Sequence, residues 1–206
     1  MDTDSIRTHS QYLDTFKDFL SGDAQVLIGT QMIAQGLHFP RVGFVGVISP
    51  DNILNLPDFR ASERTYELLT HVAGRAGRAN CQGEVVIQTY NSQHYAIQSV
   101  RLPYKKFYEK ELAYRKAMNY PPFTRLIRIL IEYKNETSVK EKAKKVREFL
   151  ERNNIDFIGP VKCVVPKISG RYRYHFLIRT NDMKIVCEKL RKLKNVKIDI
   201  DPQELI

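Results

Sequence analysis

Residues Arg60–Arg78, RASERTYELLTHVAGRAGR, decide how the rest of the chain is read. Good helix formers run from Ala61 to Val72, with Leu68, Leu69 and Val72 apolar. Continued as a helix, the stretch puts Arg75 and Arg78 on one face, because residues three apart are neighbours. Gly74 and Gly77 precede them and let a ligand or another backbone come close. A guanidinium stays charged and its fork matches phosphate oxygens, so the pair suits a phosphate. Alone, a GRAGR segment also fits the water-exposed end of a surface helix.

Upstream lies Ile28–Pro40, IGTQMIAQGLHFP. Gln25–Ile28 reads as a short apolar strand, Gly29 and Thr30 turn off its carboxyl end, and Gly36 interrupts a second apolar run. Open α/β sheets bind ligands at such strand ends. Val42–Ile48 is a continuous apolar run of the kind found in buried parallel strands, and Glu84–Thr89 is a further strand. With helices at residues 9–20 and after Arg60, the order is that of a parallel α/β lobe.

Together these two stretches resemble motifs V and VI of superfamily 2 helicases, in the form of one family, the replication-restart helicase PriA (primosomal protein N′). GTQMIAQGLHFP looks like that family's GTQM-A-KG--FP. PDFRASERTYELLTHVAGRAGR, Pro57–Arg78, looks like its PDFR--ER---L--QVAGRAGR. The resemblance implies that residues 1–100 are the carboxyl-terminal portion of a RecA-like lobe 2. Thr30 would then contact a nucleic-acid phosphate, and the loop at Gly36 would lie near the ATP γ-phosphate. A helix N-cap is the alternative role for Thr30. Arg78 would be the arginine finger and Arg75 a second γ-phosphate contact, with His71 and Gly74 beside the nucleotide. Three positions depart from the pattern: Gln35 replaces Lys, His38 an acidic residue, and His71 the usual Gln.

Charge separates the chain into halves. Residues 1–100 hold seven Lys/Arg against ten Asp/Glu, net −3, while residues 101–206 hold 26 against 13, net +13. A basic half is a candidate for nucleic acid, or simply a solvated lysine-rich surface. Cys81, Cys163 and Cys187 are scattered without CxxC spacing, as in a reduced cytoplasmic protein. No long apolar run signals a membrane span and the polar amino terminus is unlike a secretory signal.

Residues 94–119 read as one helix with Tyr104, Phe107, Tyr108 and Leu112 on a stripe, stopped by Tyr120-Pro121-Pro122. Residues 101–122 thus form a helical connector, and residues 123–206 a basic α+β domain. Its pattern predicts a strand at 124–133, a helix at 138–152, strands at 157–165 and 171–179 around a loop holding Pro166 and Gly170, a second helix, and a strand at 196–200. That is β-α-β-β-α-β. NYPPFTRLIRI and GPVKCVVPKISGRYRYHFLIR resemble the same family's carboxyl-terminal domain, which implies a ribosomal-protein-S10-like fold. Along Arg171–Arg179, Tyr172, Tyr174, Phe176 and Ile178 face one way and Arg171, Arg173, His175 and Arg179 the other. Lys167, Arg171 and Arg173 are candidate phosphate contacts without base readout, and contact with the helicase lobe that orients the domain is the alternative for Arg171 and Arg173.

The resemblance implies the carboxyl-terminal part of an ATP-dependent 3′→5′ DNA helicase that recognises stalled forks and starts primosome assembly. ATP with Mg²⁺ would be shared with a first lobe, since no G-x-x-x-x-G-K-[ST] occurs in this sequence. The isolated chain is therefore expected to be inactive as an ATPase. Zinc would be bound upstream, and no metal is expected in this chain. Implied partners are forked and single-stranded DNA, single-stranded-DNA-binding protein and primosome proteins, in a bacterial cytoplasm at the nucleoid. The alternatives are another superfamily 2 translocase of the RecG kind, and a non-enzymatic nucleic-acid-binding adaptor.

Overall fold

The structure, a computed structural model, describes residues 9–30, 42–74, 76 and 83–205. The chain forms two compact units. One comprises residues 1–55 and 62–107, the other residues 56–61 and 108–206.

In the first unit, helix α1 (His9–Ser21) half-buries Phe16, Phe19 and Leu20. Gly22, at φ 95, ends it, and the Ala24 N–H reaches back to the Asp18 carbonyl at 3.0 Å. Residues 25–28, expected as a strand, are irregular, with Val26 75% and Ile28 79% exposed. Among the described residues neither sheet includes them. Strand β1 (Phe44–Ile48) pairs in parallel with β2 (Glu84–Gln88), from Phe44 opposite Glu84 to Ile48 opposite Gln88. β1 buries one face where two were expected. Val47 turns inward, while Ile48 is 80% exposed. The described residues cover only the inner face, through a core of Leu54, Tyr66, Leu69, Ala96, Ile97 and Phe107.

That core is drawn from helices α2 (Asp51–Leu54), α3 (Ala61–Ala73), α4 (Tyr95–Gln98) and the start of α5 (Tyr104–Ala117). The buried Asp51 carboxylate accepts from Thr89 Oγ1 at 2.9 Å and the Tyr90 N–H at 3.3 Å, tying α2 to the end of β2. The single helix expected over 94–119 is broken at Leu102, which is extended (φ −111, ψ 161) before Pro103. A residue preceding proline is driven out of the helical region.

The second unit has the β-α-β-β-α-β order read from its hydrophobic pattern. β3 (Arg125–Tyr133), α6 (Glu136–Arg152), β4 (Ile158–Ile168), β5 (Arg171–Thr180), α7 (Met183–Leu190) and β6 (Lys197–Ile200) build an antiparallel sheet ordered β4-β5-β3-β6. Both helices pack on one face. Val139, Ala143, Val146 and Leu150 of α6 meet Ile127, Ile129, Ile131, Phe176 and Ile178. Each of the larger side chains contributes about 1.5–3 kcal/mol by leaving water. Asn135 caps α6, its Oδ1 accepting from the Thr137 N–H at 2.7 Å. The loop expected around Pro166 is shorter than its composition indicates. β4 runs to Ile168, and Ser169 and Gly170, both at positive φ, make a two-residue hairpin turn.

Leu126, Leu177 and Leu205 form a smaller core with Phe59 and Tyr120 on the opposite sheet face, so both faces of β3 are partly covered, as its alternation indicates.

Candidate functional sites

In the first unit α3 carries the motif VI sequence. Its buried side is Ala61, Thr65, Tyr66 and Leu69, at a helical spacing, and the Tyr66 ring stacks on Phe107 with centroids 4.0 Å apart. The helix ends at Ala73, with the Gly74 N–H bonded to the Thr70 carbonyl at 3.0 Å. His71 is exposed on the last turn, one residue pair from the exposed Gly74. A Cβ at Gly74 would lie 3.4 Å from the Thr70 carbonyl oxygen and 3.6 Å from that of His71. Those are ordinary contacts, so the described residues around it do not demand glycine there. Arg75, Gly77 and Arg78 lie outside the described residues, as do Gly36, Gln35 and His38 of the motif V stretch. Thr30 is described, exposed and in irregular backbone.

The carboxyl end of a helix carries a partial negative charge, which repels a phosphate. Any anion held at this end of α3 must be held by cationic side chains. The sequence supplies them at once beyond it, in Arg75 and Arg78. That donor set fits a nucleotide phosphate. Among the described residues no group of three His, Cys, Asp or Glu side chains could hold a metal ion.

In the second unit the sheet register assembles a polar face opposite the helices. Glu132 of β3 stands opposite Arg173 of β5, and Arg128 opposite Asp199 of β6. Arg173 Nε lies 3.3 Å from Glu132 Oε1, Lys197 Nζ 2.5 Å from Glu132 Oε2, and Arg128 Nη2 3.3 Å from Asp199 Oδ2. The hydrogen bond from Lys197, with the charges of Lys197 and Arg173, holds the Glu132 carboxyl below the usual carboxylate range. His175 Nδ1 is 3.3 Å from Cys163 Sγ. Burial pushes the thiol up and the imidazole down, and Arg128 and Arg173 lower the imidazole further.

The alternation expected along β5 is present: Tyr172, Tyr174, Phe176 and Ile178 pack on the helices. The three basic candidates occupy unlike places. Arg171 and Lys167 are exposed, and Lys167 Nζ sits 4.7 Å from the centre of the Tyr172 ring. The Arg173 side chain is only 11% exposed, between Glu132 and the Val165 carbonyl. Arg179 donates to the Met118 carbonyl at 2.6 Å. Arg128, Glu132 and Lys197 were not singled out from the sequence. The alternation of RLIRILIEY places Arg128 and Glu132 on the face of Leu126 and Leu130, but their partners follow only from strand register.

Comparison with known proteins gives two family matches. Residues 3–80 match the helicase conserved C-terminal domain, and residues 116–203 match the primosomal protein N C-terminal domain. The chain is 36% identical over 211 residues to the replication restart protein PriA of Bacillus subtilis, covering 100% of this chain and 26% of that protein. It is 37% identical to the protein of that name in Borreliella burgdorferi (96% of this chain, 32% of the relative) and in Treponema pallidum (100% and 33%). The chain thus spans about a quarter to a third of the length of these relatives.

Proposed function

Because the chain belongs to the PriA family of replication restart proteins, we propose that it is the second half of an ATP-driven 3′→5′ DNA helicase motor, joined to a basic fork-binding domain. The observation that carries this reading is α3, which ends at Ala73 directly before Gly-Arg-Ala-Gly-Arg within a helicase domain match. On this reading Arg78 stabilises charge developing on the transferred phosphoryl group and Arg75 holds its ground-state oxygens. His71 and Gly74 border the nucleotide, Gly36 offers backbone N–H groups to it, and Thr30 holds a DNA phosphate. ATP with Mg²⁺, when bound, supplies the phosphoanhydride whose cleavage drives movement, and a first lobe outside these 206 residues completes its site. The family's zinc would likewise be held outside this sequence.

Lys167, Arg171 and Arg173 contact DNA phosphates of a fork without reading bases. Arg173 does so with a guanidinium already oriented by Glu132. Single-stranded-DNA-binding protein and primosome proteins are the protein partners, in the bacterial cytoplasm at the nucleoid. Among the described residues no helix is long and apolar enough to cross a membrane.

Arg78→Ala in the longer protein tests the reading. DNA-dependent kcat is expected to fall by about 10³ or more, with nucleotide and fork binding changed far less. Binding lost in step with turnover would make Arg78 structural and overturn the assignment. The 206-residue chain alone is expected to show no ATP turnover.

A further inference from the structure

Within the second unit, the β4–β5 hairpin carries more chain on one side than its ladder can use. Lys162 stands opposite Tyr174 and Lys167 opposite Tyr172, so the stretch from Lys162 to Lys167 on β4 matches only Tyr172 to Tyr174 on β5. The surplus bends out of the ladder as a bulge. Arg173 Nη1 ties it down through the Val165 carbonyl at 3.5 Å. The side chains left outside are apolar. Val164 is 46% and Val165 47% exposed, Pro166 is exposed beside them, and Ile168 is 46% exposed just before the turn. Every residue from Val164 to Arg171 is exposed, so the end of the hairpin is a projection.

β4 is an edge of its sheet, and bulges and lysines keep such edges from pairing with other chains. Edge protection calls for polar residues outward, whereas here valine and isoleucine face the water. The charge around them selects their partner. From Val161 to Tyr174 the sequence holds four Lys or Arg and no Asp or Glu, and Lys167 and Arg171 beside the turn are exposed. That field draws a polyanion. An acidic peptide would need a groove or an unbroken strand edge, and the bulge interrupts the edge. In DNA the apolar surface is the face of a base pair, open to water only where stacking stops, at a branch or an end. Covering that face avoids the unstacking cost of wedging into continuous duplex. We propose that Val164, Val165, Pro166 and Ile168 form an apolar cap for the last base pair at a DNA branch or end, with Lys167 and Arg171 on the flanking phosphates. This rests on the reading of the second unit as a DNA-binding domain, and it lets that domain tell a branch from continuous duplex without reading sequence.

The test uses the 206-residue chain and Val165→Ser with Ile168→Ser, the corresponding threonine pair serving if the serine pair does not fold. Three DNAs share one duplex sequence: a fork, a blunt duplex, and a duplex closed by a loop at each end. Anisotropy titrations at several salt concentrations give affinity and salt slope. The unmodified chain is expected to bind the fork and the blunt duplex roughly tenfold more tightly than the closed duplex, because each apolar side chain has only about half its area left to bury. The folded double variant should lose that preference while keeping its affinity for the closed duplex and the salt slope, since Lys167 and Arg171 are untouched. No preference in the unmodified chain, or a preference that survives in the folded variant, would overturn the cap and leave the projection to an acidic peptide. Equal weakening on all three DNAs would overturn it too. If the unmodified chain bound none of them, the DNA-binding reading itself would fail and take the cap with it.

Discussion

His175 shows how much a single position depends on its neighbours. Its imidazole lies against Cys163, with Arg128 and Arg173 close by, in a face that also holds Glu132, Lys197 and Asp199. Burial first, and the two guanidiniums second, disfavour its charged form, so it titrates below the usual 6.5. The folded state then binds the proton less readily than the unfolded one. His175 therefore contributes stability that is complete above the unfolded pKa near 6.5 and declines as the pH falls toward the folded pKa. An NMR titration of the ring protons should give a pKa under 6.5, and Arg173→Ala should raise it by removing one cationic neighbour. A value above 6.5 in the unmodified chain would mean that Glu132 or Asp199 governs the ring instead.

Among the elements, α3 depends most on what it packs against. Its sequence is a good helix by propensity, but a 13-residue helix is marginal alone in water. The side chain that secures it is Phe107, 2% exposed at the start of α5 and stacked on Tyr66. Phe107→Ala should destabilise the first unit by about 3–5 kcal/mol. Hydrogen exchange can check this locally: the amides of Leu69 and Ile97, in the same core, should lose protection while those of Ile129 and Ile178 keep theirs. Equal loss across both sets would mean that the two cores unfold as one. The aromatic stripe read along this region divides accordingly. Phe107 is core, while Tyr104 and Tyr108 are 61% and 47% exposed.

At the scale of the molecule, the +13 of residues 101–206 governs how the chain meets a polyanion. The 206-residue chain should bind DNA weakly and with little sequence preference, its affinity falling with salt at a slope of about −0.7 to −0.9 per phosphate contact. Lys167→Ala with Arg171→Ala should weaken all sequences alike and reduce the slope by about 2. Arg173→Ala should change it less, because that charge already faces Glu132. An unchanged slope in the folded double variant would assign Lys167 and Arg171 to docking within the protein. The complete chain is the right object for this measurement, since Phe59 covers part of the sheet and is absent from residues 101–206.

Some of this was legible in the one-dimensional pattern. The apolar period of α6 and the alternation of β3 and β5 depend on which face of a local element is buried, and local spacing records that. The helix that leads into Gly74 was legible too, because its helix formers and apolar spacing are local. What spacing could not carry was any partner distant in sequence. Residues 25–28 are apolar enough for a strand yet take irregular backbone, since apolar content alone does not set a ladder. Arg173 looked free in the sequence because Glu132, its counter-ion, is set by the register of β3 against β5. Asp58 and Arg60 read as polar residues ahead of a helix, and only the tertiary structure brings the backbone at Pro202–Leu205 within their reach. Hydrophobic periodicity is a property of each segment alone. Hydrogen-bond and ion-pair partners are properties of the closed chain.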